Sequence, residues 1–369
     1  MSVDTVISII VPVYNSVDYI ENSVNSIIDD CDSDAEIILV DDGSTDGSSE
    51  LCDQMAEANE IVRVIHKQNG GQSQARNIGM AEAHGKYVTF CDNDDIVLPG
   101  FVKDSLRIAQ LNNADCLRFG CIAARVDASG HVYKATKNMP SHDKLYNSAE
   151  MATLIRDCDY GTSGVWTGIY KLEFLRNAGI RFHEGFRSGY EDTLFNDQVL
   201  MNAHSVVLNS AVRYLWIQRQ GHSTSTYLSD NKFDSLKMLL SYEYEMFKST
   251  DLIRTDKEWC GKVFQKHIRR YLSQNCFAPD RTFEKELSIY EAVRTVMLPY
   301  ARLYDGRDVD GLSRLIMHSL YKRRYKLIYR LMPALSFGKR CLLKVRWGVS
   351  KKNVVPLATS VIDSLDDGI

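Results

Sequence analysis

No Cys-x-x-Cys pair occurs in this chain of 369 residues, and its nine cysteines are an odd number, scattered along the sequence. That argues against a disulfide framework and a structural zinc, and it fits a reducing cytoplasm. No uncharged apolar run approaches the ~20 residues a membrane span requires. The N-terminal stretch passes from Met1 into a strand-like segment containing Asp4 without a basic region or cleavage site, so no signal peptide is expected. Repeats and low-complexity tracts are absent, which excludes solenoids and biased disordered segments. No Gly-x-Gly-x-x-Gly follows the first apolar run, where Pro12-Val13-Tyr14-Asn15 stands instead, and there is no Walker A sequence. A dinucleotide-binding unit and a P-loop are thereby excluded. The expectation is a protein made and kept inside the cell.

Acids are missing from residues 321–352, which hold eleven Lys/Arg; the residues after Lys352 hold three acids and no base. Because the whole chain carries −4, its first 320 residues carry −12. A basic end on an acidic body points to a negatively charged partner for that end alone. Tyr321, Tyr325, Ile328, Tyr329 and Met332 alternate there with the bases, as in an amphipathic helix lying on anionic lipid. Each base near such a surface adds ~1 kcal/mol. A solvated face packed on the acidic body is the alternative reading. Nucleic acid is not expected, since no recognised binding module accompanies the patch.

What is present has the ordinary composition of a globular protein, 44% hydrophobic and 25% charged, with length enough for two domains. Residues 6–13 form a nearly unbroken apolar run, the mark of a strand covered on both faces. Apolar residues Val17, Ile20, Val24, Ile27 and Ile28 follow at helical spacing, with Asn15 or Ser16 available as N-cap. Further strands are expected at 36–40, 61–65 and 87–91, with helices between them from about 48 to 59 and from 73 to 83. This alternation predicts an α/β unit with a mainly parallel sheet.

The fourth strand stops at Asp92-Asn93-Asp94-Asp95, three carboxylates in four residues. Like charges so close repel, so the cluster needs full solvation or a cation. Oxygen-only ligands suit Mg²⁺ or Mn²⁺, shared with a substrate phosphate. The competing reading places these acids at a helix N-terminus, with Pro99 in its first turn. In parallel sheets ligands bind beyond the carboxyl ends of the strands. Here those ends carry Pro12 to Asn15, Asp41-Asp42, His66-Lys67-Gln68-Asn69-Gly70-Gly71 and the acid cluster, all polar or glycine-rich. Their convergence favours a site.

Farther on, a strand is expected over 115–126 with a hairpin to 131–133. A segment at 164–170 precedes a short helix near 172–178, Glu191-Asp192 opens a helix to about 204, and a strand covers 212–218. His222, beyond that strand, is a lone histidine of the kind more often structural than catalytic. From 231 onward the pattern turns helical, with a boundary near residue 225.

With these pieces placed, residues 5–225 resemble a family 2 glycosyltransferase of the GT-A fold. The resemblance rests on five motifs in order: Ser8-Ile9-Ile10-Val11-Pro12-Val13-Tyr14-Asn15, the run from Ile38 through Asp41-Asp42-Gly43-Ser44 to Gly47, Asn69-Gly70-Gly71-Gln72-Ser73-Gln74-Ala75-Arg76-Asn77, the Asp92–Asp95 cluster, and Glu191-Asp192. It implies a transferase domain over 1–225 and leaves 226–369 as a helical C-terminal region.

The resemblance further implies roles. Pro12, Tyr14 and Asn15 line the nucleotide pocket, Asp42 binds the base, Gly70 and Arg76 lie beside the nucleotide, and Asp92 faces the ribose. Asp94 holds Mg²⁺ or Mn²⁺, Asp192 is the general base, and Trp166, Glu191 and His222 are possible donor or acceptor contacts. Asp95 is expected to cap the segment that follows it. The implied reaction is an inverting transfer of one sugar from a nucleoside diphosphate, expected to be UDP, to a glycan or lipid-linked hydroxyl in surface-polysaccharide assembly. No Gln-x-x-Arg-Trp signature appears, so processive synthesis is not expected. The implied location is the cytoplasm, peripheral to the inner face of the membrane through 321–352. Two alternatives are an inactive homologue that binds a nucleotide sugar and scaffolds a partner, and a nucleotidyltransferase, whose glycine-rich phosphate loop is absent here.

Overall fold

In the computed structural model, which describes residues 5–127, 130–157, 164–186, 189–219, 232–274, 281–303 and 311–337, the first apolar run is β1 (Ile7–Val13), buried at every position. It is followed by α1 (Ile20–Ile28), β2 (Ala35–Asp41), α2 (Ser48–Ala58), β3 (Val62–His66), α3 (Gln72–Glu82) and β4 (Tyr87–Phe90). These strands lie in the order β3-β2-β1-β4, all parallel, so their carboxyl ends share one edge.

Pro12 shows how a proline is tolerated in a central strand. Val6 and Ile10 direct their backbone toward β4, accepting from Tyr87 N and Cys91 N. Pro12 has the same parity but lies beyond the last β1–β4 pair, Ile10 with Phe90. Its missing N–H therefore breaks no ladder bond.

Next come β5 (Ile96–Val97), α4 (Lys103–Leu111), β6 (Cys116–Val126), β7 (Val132–Asn138), β8 (Lys144–Asn147), α5 (Met151–Asp157), β9 (Gly168–Lys171), α6 (Leu172–Asn177), α7 (Glu191–Asn202) and β10 (Ser205–Arg219). The sheet continues from β4 through antiparallel β9 to β6, then to β10, which is parallel to β6, and ends at β5. The hairpin partner β7 lies against β6, and β8 against β10. This is the α/β architecture the sequence predicts: a parallel half extended by a mixed half. The strand expected over 212–218 is longer, because Val206, Val207 and Leu208 also pair with β6 before an irregularity at Val212.

The chain divides into two compact units, one of residues up to Arg187 with Glu191–Ser223, the other of Ser188–Tyr190 with Thr224–Val345. The second contains α8 (Lys232–Ser249), α9 (Leu252–Thr255), α10 (Lys257–Gln274), α11 (Phe283–Met297), α12 (Gly311–Tyr321) and α13 (Tyr325–Phe337). Leu236, Leu240, Phe247, Phe264 and Ile268 are in its core. Thr282 caps α11, its hydroxyl accepting from Lys285 N.

One expectation changes here. Tyr325, Ile328 and Met332, expected to lie on lipid, are buried inside this unit, and the Tyr325 ring stacks on Tyr290. Arg281 stacks on Tyr329 at 3.9 Å. The apolar stripe is taken up by helix packing, as is usual for an amphipathic helix in a globular unit. Lys322, Arg323, Arg324, Lys326 and Arg330 stay exposed. The remainder of the basic segment, 338–352, lies outside the described residues. Among the described residues, no helix is long and apolar enough to cross a membrane.

Candidate active site

The loops after β1 and β2 are bolted together. Asn15 N donates to Ser44 Oγ at 3.1 Å and Thr45 N to Asn15 Oδ1 at 2.8 Å. Ser16 N donates to Ser48 Oγ at 2.8 Å and Val17 N to Asp46 Oδ2 at 3.1 Å. Asn15 adopts a left-handed φ of 47°, which asparagine tolerates better than most residues. Neither Asn15 nor Ser16 caps α1, which starts at Ile20 with Tyr19 before it; Asn15 Oδ1 and the N–H groups of both residues are engaged with the β2–α2 loop and the start of α2. Tyr14 is 50% exposed at the rim.

The adjacent acids of β2 divide their work. Asp41 accepts from Ser44 N, Ser49 Oγ and His66 Nδ1. Burial would raise its pKa, but those bonds win and hold the carboxyl below the usual range. Asp42 accepts from Gly70 N at 2.8 Å, Gly71 N at 2.7 Å and the Lys67 ammonium. The glycine loop is thus folded onto Asp42, and Gly71 meets the turn with a φ of 91°.

Arg76, on α3, is 1% exposed and bridges two carboxylates. Its Nη2 donates to Asp92 Oδ1 at 2.7 Å and its Nη1 to Asp192 Oδ1 at 2.6 Å. Its guanidinium lies 5.1 Å from the centre of the Phe182 ring. Gln72 Nε2 also donates to Asp92, at 3.0 Å. Asp192, in the first turn of α7, accepts Val165 N at 3.4 Å on its other oxygen. Burial raises the Asp192 pKa above the carboxylate norm, with Arg76 pulling against it. Burial and the neighbouring Asp192 push Glu191 up to about 7, and its Oε2 has no partner among the described residues.

The remaining acids of the cluster differ sharply. Asp94, its side chain 41% exposed, accepts from Arg219 Nη1 at 2.8 Å. Arg219, at the end of β10, also stacks on Tyr19 at 4.1 Å. Partial burial, reinforced by Asp92, raises the Asp94 carboxyl above the usual range although Arg219 opposes it. Asp95 is 1% exposed and caps no helix, contrary to the sequence expectation. It accepts from Tyr214 Oη at 2.9 Å and from Ile217 N at 2.8 Å. A carboxylate facing inward at a β4 exit must find donors, and β10 supplies them. The same Tyr214 hydroxyl accepts from Asp92 N at 3.0 Å, fixing the start of the acid loop.

Trp166 is 6% exposed and stacks on Tyr214 with centroids 4.4 Å apart. It also lies 5.7 Å, centroid to centroid, from Trp216, so most of its ring is engaged in packing. His222 lies outside the described residues. The structure adds Lys67, Tyr214 and Arg219 to the residues read from the motifs. Lys67 and Arg219 stand at or just beyond strand ends, a signal of position, whereas Tyr214 lies inside β10 and had no local signal.

Among the described residues, no three His, Cys, Asp or Glu side chains converge as a ready-made cation cage. The donor set nevertheless fits a hard divalent ion shared with a diphosphate. Asp92 and Asp94 offer oxygen alone, and Mg²⁺ is commonly held by a carboxylate or two plus phosphate oxygens.

Residues 8–168 match the family described as Glycosyl transferase family 2. An uncharacterized glycosyltransferase, EpsJ of Bacillus subtilis, is 32% identical over 57% of this chain and 60% of its own length. The poly(ribitol-phosphate) beta-N-acetylglucosaminyltransferase TarS of Staphylococcus aureus is 29% identical over 72% of this chain and 44% of its own. The chain thus spans 60% and 44% of these relatives' lengths, less than two thirds of either. The crystal structure of TarS 1–349 in complex with UDP-GlcNAc aligns over 94% of this chain and 95% of that one. Its TM-score is 0.65 and its identity 20%, a likeness of GT-A fold.

Proposed function

Residues 8–168 match glycosyl transferase family 2, and we propose that the chain transfers a single sugar from a nucleoside diphosphate to an acceptor hydroxyl, with inversion. The observation that carries this reading is the Arg76 bridge, 2.7 Å to Asp92 and 2.6 Å to Asp192, which brings the nucleotide-side acid and the base to one place.

The nucleotide would lie against Pro12, Tyr14, Asn15 and the Asp42–Gly70 loop, with the ribose toward Asp92. The acceptor hydroxyl would attack the anomeric carbon on the face opposite the departing diphosphate while Asp192 takes its proton. A raised pKa makes Asp192 a stronger base than an ordinary carboxylate. Asp94, with Asp92, would hold Mg²⁺ or Mn²⁺, which when bound neutralises charge on the leaving diphosphate. Similarity to TarS, whose structure was obtained with UDP-GlcNAc, supports a UDP-sugar as donor. An acceptor of glycan or lipid-linked type, in surface-polysaccharide assembly, is consistent with that relative. The exposed bases of α13 and of the turn before it, Lys322 to Arg324, would hold the enzyme at an anionic inner membrane surface by charge.

The test is incubation of the protein with Mn²⁺ and a panel of nucleotide sugars, measuring free nucleoside diphosphate with and without glycan acceptors. Release that survives both Asp94→Ala and Asp192→Ala unchanged would sink these roles. Donor binding without any turnover would favour the inactive homologue.

A further inference from the structure

Arg118, on β6, is 4% exposed, and its guanidinium donates to four groups on two separate segments. Nη1 donates to Tyr170 Oη at 2.6 Å and to Asn196 Oδ1 at 2.8 Å. Nη2 donates to Thr167 Oγ1 at 2.8 Å and to the Gly164 carbonyl at 3.1 Å. Burying a cation is costly, and it is retained where many bonds fix its surroundings.

Its partners are the supports of one carboxylate. Gly164 and Thr167 bracket the turn Val165–Thr167, in which Thr167 Oγ1 donates back to the Gly164 carbonyl at 2.8 Å. The single proton of Tyr170 Oη is within reach of two acceptors, the Val165 carbonyl at 3.1 Å and Asn196 Oδ1 at 2.8 Å. Val165 N, in that turn, donates to Asp192 Oδ2. Asn196 lies on α7 four positions after Asp192, on the same face of the helix. Arg118 thus ties the turn that donates to Asp192 to the helix that carries it. Neither piece is adjacent to Arg118 in sequence.

We propose that Arg118 is a positioning residue for Asp192: by clamping the Gly164–Thr167 turn and Asn196 together, it aims the Val165 N–H and sets the carboxylate's orientation toward the acceptor. This rests on the reading of Asp192 as the base. Among the described residues, the other charged groups facing Asp192 are Arg76 on α3, Asp92 beyond β4 and Glu191 on α7 itself.

The test compares Arg118→Met, Arg118→Lys and the milder Thr167→Val in the full-length protein, with thermal unfolding as a check of folding. Carboxyl ¹³C NMR follows the titration of Asp192, assigned by loss of its signal in Asp192→Asn. Loss of the Val165 bond should move that titration to higher pH in Arg118→Met and, less far, in Thr167→Val. In the transferase assay, kcat should fall on the order of 10²-fold, the cost of a small misplacement, with donor KM nearly unchanged. Arg118→Lys should recover only part, because an ammonium cannot reproduce the planar fork. In an Asp192→Ala background, Arg118→Met should add no further loss. An unmoved Asp192 titration in a folded variant, or losses that multiply in the double variant, would overturn the proposal. If Arg118→Met does not fold, the same two outcomes are read from Thr167→Val. If the wild-type protein releases no nucleoside diphosphate, the transferase reading falls, and the titration alone still decides the role of Arg118.

Discussion

The Arg76 guanidinium and the Asp192 carboxylate meet at 2.6 Å although 116 positions separate them. Arg76 is the buried hinge pin between α3, the acid loop and α7. Arg76→Met should leave Asp92 and Asp192 facing each other with no cation between them. Breaking a buried pair this way costs about 3–5 kcal/mol, readable as a shift in urea denaturation midpoint. Arg76→Lys should recover little, since one ammonium cannot serve both acids with a fork.

Asp192→Asn should abolish proton uptake while preserving shape. Turnover is expected to fall by roughly 10²–10⁴-fold, the usual worth of a positioned general base. Donor binding by calorimetry should stay close to wild type, and equal loss of binding would move Asp192 out of the catalytic role.

Removal of divalent ions by EDTA should stop nucleoside diphosphate release, and Mn²⁺ or Mg²⁺ should restore it. Asp94→Ala should need far more metal for half-maximal rate. A rate indifferent to EDTA would show that Asp94 has another purpose, with Arg219 the first partner to test.

Glu36 supplies a pH test of stability. Burial would raise its pKa, but Ser8 Oγ and His84 N, each at 2.6 Å, and Arg63 Nε, at 2.9 Å, lower it instead. A folded pKa below the ordinary ~4.3 means stability that is present above that value. It is lost as the pH falls through the folded value. Melting temperature should therefore drop more between about pH 5 and 3 in wild type than in Glu36→Gln.

The exposed bases Lys322, Arg323, Arg324, Lys326 and Arg330 make a separable prediction. Reversing Arg323, Arg324 and Arg330 to Glu should reduce co-sedimentation with anionic liposomes, and raised salt should do the same to wild type. Because Tyr325, Ile328 and Met332 are buried, binding should show little dependence on acyl-chain packing. Undiminished sedimentation of the reversed protein would discard this surface.

Local pattern carried the parallel half of the fold and most of the candidate site. The runs that became β1 and β2 are apolar at nearly every position, which only a strand covered on both faces accommodates, and Asp92, Asp94 and Asp192 lie in short motifs readable at a glance. What local pattern could not convey is partnership over distance. Asp95 stands beside Asp94 in sequence, yet tertiary structure turns one inward to Tyr214 and Ile217 and leaves the other at the surface with Arg219. The stacking of Trp166 on Tyr214, 48 positions away, is likewise invisible in the sequence. The aromatic and basic alternation after residue 320 is the same pattern whether its apolar stripe meets lipid or other helices. Only the packing of the second unit decides that the stripe is buried and the bases are exposed. Periodicity states which residues share a face, while the identity of what covers that face depends on chain that returns from far away.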